Sequence, residues 1–276
     1  MARANSKTPS TSTDLVKWDE ELAKYAQAAV AMEATVAGGG KFFSLRGGQL
    51  SWNDIQLPDN RAAVIILDHV LENVFYEGRF DPDVLTAPTC FAFGRDDSEI
   101  KPHEIVVNAQ QSQSAQCAGC DMNVFGSADT GRGKACRNTR RLAMIPAGNF
   151  DKSKRFQLIT AVDHYQAAEI GYMKLPVTSI KGFSTYVKQI ASTLKRPPFG
   201  VVTLVSVVPD ASTQFKVVFE AIEEVPSNLI AAIIERNKEA ANSIEFPYSL
   251  DTEDKPAAKG KPAAKGKPAT AKARKY

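Results

Sequence analysis

The chain has four cysteines, and all of them fall within a stretch of 47 residues: Cys90, the pair Cys117 and Cys120 in a Cys-Ala-Gly-Cys sequence, and Cys136. Zinc in structural sites takes four tetrahedral thiolate or imidazole ligands, and a CxxC turn can bring two of them to one ion while flanking segments supply the others. The spacing therefore predicts a structural Zn2+ site on these four side chains. His103 is a reserve ligand that could replace Cys90.

Other interpretations of the cysteines stay open. Four thiolates can also hold an iron–sulfur cluster, and a CxxC pair alone is enough for a redox function without a metal. Disulfides are disfavoured, because the N-terminus lacks the apolar segment of a signal peptide and no apolar run approaches the roughly 18 residues of a membrane span. We expect a cytoplasmic protein without a membrane partner, whose thiols stay reduced.

The charge of the chain is divided unevenly. Of 276 residues, the last 22 carry eight lysines and arginines and no acid, whereas the first 254 hold 26 basic and 31 acidic residues. The body therefore has a net charge of −5, and a site for a polyanion on it must be a local cluster of cations. Such a cluster is predicted between Gly131 and Arg155, where eight basic residues accompany one acid: Arg132, Lys134, Arg137, Arg140, Arg141, Lys152, Lys154 and Arg155.

The order of predicted elements favours a mainly β chain with flanking helices, arranged as a small OB-like barrel with a metal-binding insertion. Apolar residues at helical spacing predict an N-terminal helix, and later stripes predict two more helices capped by Thr178 and Ser227. The segment Asp68 to Tyr76 is ambiguous between strand and helix. The predicted organisation is a disordered N-terminus 1–13, a helix 14–40, an OB-like core 41–250 with the zinc-binding insertion at about 88–141, and a disordered tail 251–276 that is basic from 255.

Sequence motifs for catalysis are absent from the chain, which has three histidines and none of the common phosphate-loop, metalloprotease or hydrolase signatures. We therefore expect a protein that is not an enzyme. What remains is recognition of a polymer, in which aromatic side chains stack on bases beside a basic groove. Phe125 and Trp52 are the best candidates for stacking, because polar residues surround both.

Residues Cys117 to Ser127 have the pattern CxxCxxNxxGS, and a predicted strand follows Gly133 to Cys136. In these segments the chain resembles a group of bacteriophage single-stranded DNA-binding proteins, and looser similarity extends over Pro88 to Glu220. The resemblance implies an OB-fold with a four-cysteine zinc element inserted between strands, and a role in coating single strands. This chain departs from many such proteins because a basic arm follows its short acidic run, so the resemblance does not extend to tail-mediated recruitment of partners.

These observations lead to one hypothesis with three rivals. We expect a sequence-nonspecific single-stranded DNA-binding protein of phage replication or recombination, stabilised by Zn2+, with phosphates bound by Arg132, Lys134, Arg137, Arg140 and Arg141. Replication or recombination proteins are possible partners in the host cytoplasm. The rivals are a zinc-ribbon regulator that docks on a host protein or duplex DNA, a structural protein that condenses DNA through its basic tail, and a magnesium-dependent nuclease using Asp96 and Asp97.

Overall fold

The computed structural model describes residues 42–53, 55–78, 87–129 and 131–248, together with four helical residues at positions 21, 22, 24 and 25. Those four lie inside the predicted N-terminal helix. The rest of that helix, the N-terminus 1–13 and the tail 251–276 lie outside the described residues. None of the helices in the described ranges has the length and apolar character needed to cross a membrane.

The described chain contains one large mixed sheet and four numbered helices. The strands are β1 (Phe42–Ser44), β2 (Ser51–Trp52), β3 (Ile55–Gln56), β4 (Arg61–Phe75), β5 (Cys90–Gly94), β6 (Arg137–Phe150), β7 (Phe156–Leu158), β8 (Gly171–Leu175), β9 (Val201–Asp210) and β10 (Gln214–Glu224). The helices are α1 (Glu104–Asn108), α2 (Val162–Ala167), α3 (Val177–Thr193) and α4 (Ser227–Ser243). The sheet order is β10-β9-β4-β6-β8-β1-β2-β3, with β5 also paired to β4 and β7 to β6. The β1–β8 pair is parallel, and the other pairs are antiparallel.

Strand β4 is buried on both faces, which explains its continuous apolar run. Ile65 and Leu67 belong to a core on the face covered by α4, where Leu229 lies. The alternate residues, such as Ile66, enter a second core on the opposite face, together with Phe183 of α3. The twofold side-chain period of a strand thus sends neighbouring residues into different cores.

The coarse fold class predicted from the sequence is confirmed: the protein is mainly β with flanking helices. The ambiguous segment Asp68 to Tyr76 is mostly strand, as the second half of β4. The long helices α3 and α4 begin directly after Pro176 and Pro226, so the predicted caps Thr178 and Ser227 lie within their first turns instead.

The path of hydrogen-bonded strands is open, with β10 and β3 at its ends, so it does not confirm an OB-like barrel. The turn between β1 and β2 nevertheless approaches the β10 edge. Gly48, in the turn between β1 and β2, lies so close to β10 that a Cβ atom there would be 3.5 Å from the ring of Phe215.

Candidate metal centre and nucleic-acid interface

The register of three strands positions the outer two cysteines. Strand β5 begins at Cys90, which pairs with Phe75 near the end of β4. On the other edge of β4, β6 begins at Arg137, which pairs with Val74. Cys136 therefore comes just before β6, level with the end of β4, and the first and last cysteines flank that end from its two sides.

A tight turn positions the middle two cysteines. The backbone N–H of Cys120 donates to the carbonyl of Cys117 at 3.4 Å, and Gly119 between them has φ +78°, a left-handed conformation that glycine adopts without strain. The Asn123 side chain closes the turn by donating to the Cys117 carbonyl at 2.9 Å. The Cys136 N–H donates to the carbonyl of Met122 at 2.7 Å, which joins the turn to the start of β6.

All four cysteines line one cavity of about 20 Å³, which is room for a single water-sized particle. They are free thiols, and three of them are no more than 9% exposed. Within the described part of the chain, no three His, Cys, Asp or Glu side chains are arranged closely enough to bind a metal ion directly. Binding an ion here would therefore require the thiol groups to turn further into the cavity.

His103, the reserve ligand, does not line this cavity. Its Nδ1 accepts a hydrogen bond from the N–H of Ile105 at 3.3 Å and so caps α1. Its ring stacks on Phe91 with 5.1 Å between centroids. The structure thus gives His103 a local structural role and leaves the four cysteines as the group that shares a cavity.

Burial disfavours the charged thiolate form of Cys90, Cys117 and Cys136 by raising the pKa of each. The pKa of Cys136 is raised to about 12. Burial is the largest cause, and the nearby Cys117, Cys90 and Cys120 add to the increase. Burial also raises the pKa of Cys90, although the backbone N–H of Gln113 opposes the change. A bound dication would reverse this preference by stabilising the thiolates. Four soft ligands that share a small buried space fit the donor set of a structural zinc ion.

Asn73 adds a polar donor to the same cavity. It is 3% exposed, and its Oδ1 accepts a hydrogen bond from Asn138 at 2.7 Å. Its Nδ2 lies toward Cys117, where it partly offsets the pKa increase that burial causes. Nδ2 nevertheless completes no hydrogen bond with any described atom. We therefore interpret the Asn73 amide as lying near the Cys117 sulfur without a full hydrogen bond to it. An amide donor beside a sulfur atom is the kind of outer contact that stabilises a metal-bound thiolate.

Phe125 and Lys134 are in contact on the loop that follows the CxxC turn. The Phe125 ring is 83% exposed, and the Lys134 ammonium lies 5.3 Å from its centroid. The same ammonium donates to Oδ1 of Asn123 at 3.1 Å and of Asn138 at 3.0 Å. Lys134 is therefore half-buried and held between the cysteine turn and β6, while Phe125 projects from the surface.

The four arginines predicted to bind phosphates do not form one cluster. Arg132 and Arg137 are exposed, whereas Arg140 is half-buried and Arg141 is only 1% exposed. Because side chains alternate along β6, Arg137 and Arg141 point to one face of the sheet and Arg140 to the other. Burial lowers the pKa of Arg140, an effect opposed by the nearby Asp97.

Arg141 forms a buried structural network instead of a phosphate contact. Its guanidinium bonds the carboxylate of Glu72 and donates to the carbonyls of Ile244 and Phe246 at 3.0 and 2.8 Å. The Tyr248 hydroxyl donates to the same carboxylate at 2.6 Å. We therefore remove Arg141 from the set of proposed phosphate ligands.

Trp52, the second predicted stacking residue, lies away from the cysteine turn in the sheet order, on β2. It is half-buried and packs on Phe43 with 4.4 Å between ring centroids. The structure therefore does not bring Trp52 and Phe125 together on one element.

Sequence reasoning missed Glu72, Asn73 and Tyr248. The sequence contained one signal, because the polar residues Glu72 and Asn73 interrupt the apolar run of β4. In the structure, the arginine-rich start of β6 pairs with this part of β4.

Comparison with known proteins adds no further identification: no protein-family model, no curated protein and no solved structure matches this chain.

Proposed function

We propose that this protein binds single-stranded DNA without sequence preference, and that a structural zinc ion on Cys90, Cys117, Cys120 and Cys136 organises the loop that presents the binding residues. The single observation that carries the proposal is Phe125, an 83% exposed aromatic ring beside the ammonium of Lys134. Among the residues that the structure describes, little of this large apolar ring is covered by packing. Stacking on an unpaired base would bury it, and the adjacent cation would favour the strand's phosphates.

The exposed arginines support the same proposal. Arg132 lies on the loop between Phe125 and Cys136, and Arg137 begins β6 directly after the last cysteine. The guanidinium of Arg137 is 5.9 Å from the ring of Tyr76, so it is partly oriented. These cations surround the proposed zinc site, and their attraction to phosphates would weaken with salt through counterion release.

The proposal includes an OB-like arrangement of the sheet, and the approach of the β1–β2 turn to β10 at Gly48 and Phe215 supports it. The setting of phage replication or recombination, in the host cytoplasm, rests on the resemblance of the cysteine segment alone. The proposed action is passive coating of the strand, with no chemical step.

The test is fluorescence anisotropy with a labelled poly-dT strand and a duplex of equal length, using the wild type, Phe125→Ala and Arg137→Ala. We expect preference for the strand, with Phe125→Ala weakening it by about fivefold to a hundredfold, the range of one base–aromatic stack. Val124→Ala is the matched control, because it removes a neighbouring exposed apolar side chain without a ring. Equal affinity of all variants would contradict the proposed interface.

A second candidate function draws on the same loop. Val124 is 49% exposed next to Phe125, and adjacent exposed apolar side chains also suit docking on a protein. In this alternative the cysteine segment is a zinc ribbon that regulates a host protein or binds duplex DNA. Preference for the duplex, or no binding to either nucleic acid, in the anisotropy experiment would favour it.

A further inference from the structure

A second, larger cavity lies at the opposite ends of β4 and β6 from the cysteines, between β1–β2, the start of β4 and the hairpin that joins β6 to β7. Its volume is about 390 Å³, within the range of small-molecule sites. We call it the hairpin groove and define it by six of its lining residues: Phe43, Trp52, Arg61, Phe150, Lys152 and Lys154.

One wall of the hairpin groove is an aromatic surface held in place from behind. The rings of Trp52 and Phe43 are 4.4 Å apart with an interplanar angle of 32°. Both lie against the backbone of Gly171, because a Cβ atom there would be 2.3 Å from the indole and 2.7 Å from the phenyl ring. The indole is therefore seated on β8, and a planar ligand could bind to it with little loss of side-chain entropy.

A second aromatic side chain of the groove, Phe150, is in contact with the cationic side chain of Arg61. The guanidinium of Arg61 lies 4.1 Å from the centroid of the Phe150 ring, and Asp59 holds it with an ion pair of 3.2 Å. An arginine plane stacked in this way offers a flat face for a base as well as positive charge.

The rim of the groove is positively charged where it meets solvent. Lys152 and Lys154 are both exposed on the β6–β7 hairpin. Two carboxylates also line the groove, but both are engaged by the protein itself: Asp59 pairs with Arg61 and Lys154, and Asp151 accepts from the N–H groups of Ser153 and Arg155. Lys152 forms no salt bridge with any residue that the structure describes.

We infer that the hairpin groove is a nucleotide-binding subsite for the single strand, in which a base lies against Trp52 and the adjoining phosphates contact Lys152 and Lys154. This inference rests on the proposed function and extends it to a part of the sheet that the cysteine segment does not reach. The aromatic wall recognises the planar base without sequence preference, and the rim lysines neutralise the backbone charge.

The test combines cross-linking with salt titration. A labelled strand that carries one 5-iododeoxyuridine is irradiated with the full-length protein, and cross-linked peptides are mapped by mass spectrometry. We expect attachment to the peptide containing Trp52 or the one containing Phe150. The affinity of Lys152→Ala/Lys154→Ala is then measured against salt, and the slope of log affinity against log salt should fall by about 1.4, near 0.7 for each lost phosphate contact.

The matched control is Lys181→Ala/Lys188→Ala, which removes two exposed lysines from α3 and should leave the slope unchanged. Strand binding with cross-links confined to the peptide of Phe125, and with equal slopes in both double variants, would overturn the subsite and leave the proposed function standing. Failure of the wild type to bind the strand in the anisotropy experiment would overturn both.

Discussion

Arg140 and Arg141 are adjacent in the sequence, yet their environments have little in common. Arg140 is half-buried on the face that holds Asp97 and His69, while Arg141 is interior and bonded to Glu72. The aromatic rings of Phe93 and Phe246 lie 4.4 and 4.1 Å from the Arg141 guanidinium. Charge alone suggested the same role for both residues, and burial separates them.

Arg141→Ala is therefore expected to affect stability before it affects binding. It would leave the Glu72 carboxylate, which is 0% exposed, without its guanidinium partner, so that Tyr248, Thr139 and the more distant Lys174 remain. Breaking a buried ion pair on one side costs about 3–5 kcal/mol, and for a chain of this size Tm should fall by roughly 10 °C. Thermal melting followed by circular dichroism measures the change.

The control for this prediction is the double variant Glu72→Gln/Arg141→Met, which removes both charges. It should be more stable than Arg141→Ala, because no unpaired carboxylate remains in the interior. Exposed Arg137→Ala should melt like the wild type. If Arg141→Ala also melts like the wild type, the network around Glu72 does not hold the fold together as we describe.

Cys120→Ser tests the metal site directly. If zinc is structural, replacing one thiolate ligand should release the ion and lower Tm by at least about 5 °C, because metal binding contributes to folding free energy. Zinc content by elemental analysis and a thermal melt of the same sample give both quantities. Ala118→Ser places the same hydroxyl group in the same turn and keeps all four sulfur atoms, so it should retain metal and stability. A metal-free Cys120→Ser protein that is as stable as the wild type would contradict a structural role for zinc.

At the scale of elements, strand periodicity determines which predictions from the sequence succeed. The apolar run at 62–67 predicts the first half of β4, and the run at 142–145 predicts the middle of β6, because burial of strands on two faces leaves a continuous apolar signal. The short helices α1 and α2 were missed, since five or six residues carry too little periodicity to be recognised.

The candidate site was predictable in part. The four cysteines share a cavity, as their spacing suggested. The cations were grouped by their closeness in the sequence, whereas β6 divides them between its two faces. The hairpin groove joins residues more than 90 positions apart, from Trp52 to Lys154. Only the sheet order brings such residues together, and a single sequence does not determine that order.

Strand β4 also carries a group whose protonation should couple to stability. Burial lowers the pKa of His69 from 6.5, as do the cations Arg140 and Arg95, while Asp68 opposes the shift. The folded protein thus binds this proton less readily than the unfolded chain does, and stability is lost as pH falls through the unfolded pKa. The ion pair of Asp68 with Arg95, at 2.6 Å, keeps that cation close to the strand.

We predict that lowering the pH from about 7.5 to about 5.5 reduces the urea midpoint more in the wild type than in His69→Gln, which has no titrating ring. The comparison is made within each protein across pH, so any constant cost of the substitution cancels. Parallel midpoint curves for the two proteins would contradict a coupling through His69.

At the scale of the whole molecule, the last described residues precede the basic tail of the sequence. The segment before it is anchored to the sheet, because Arg141 donates to the carbonyls of Ile244 and Phe246, and Tyr248 donates to Glu72. The Tyr248 ring also contacts Phe91 of β5 at 5.2 Å between centroids, which places the anchor next to the cysteine cavity. In the sequence, Lys255, the first tail cation, follows Tyr248 by seven residues.

Removal of residues 255–276 should therefore weaken strand binding without abolishing it. The loss of eight cations should lower the salt slope by at most roughly 0.7 for each phosphate contact that the tail makes. A tail of equal length with its lysines and arginine changed to glutamine should behave like the truncation, because the expected contribution is charge and not length. Both proteins should still prefer the single strand to the duplex, since that preference depends on stacking by the body. If the truncated protein binds neither, DNA binding belongs to the tail, and the body would serve as the scaffold of a DNA-condensing protein.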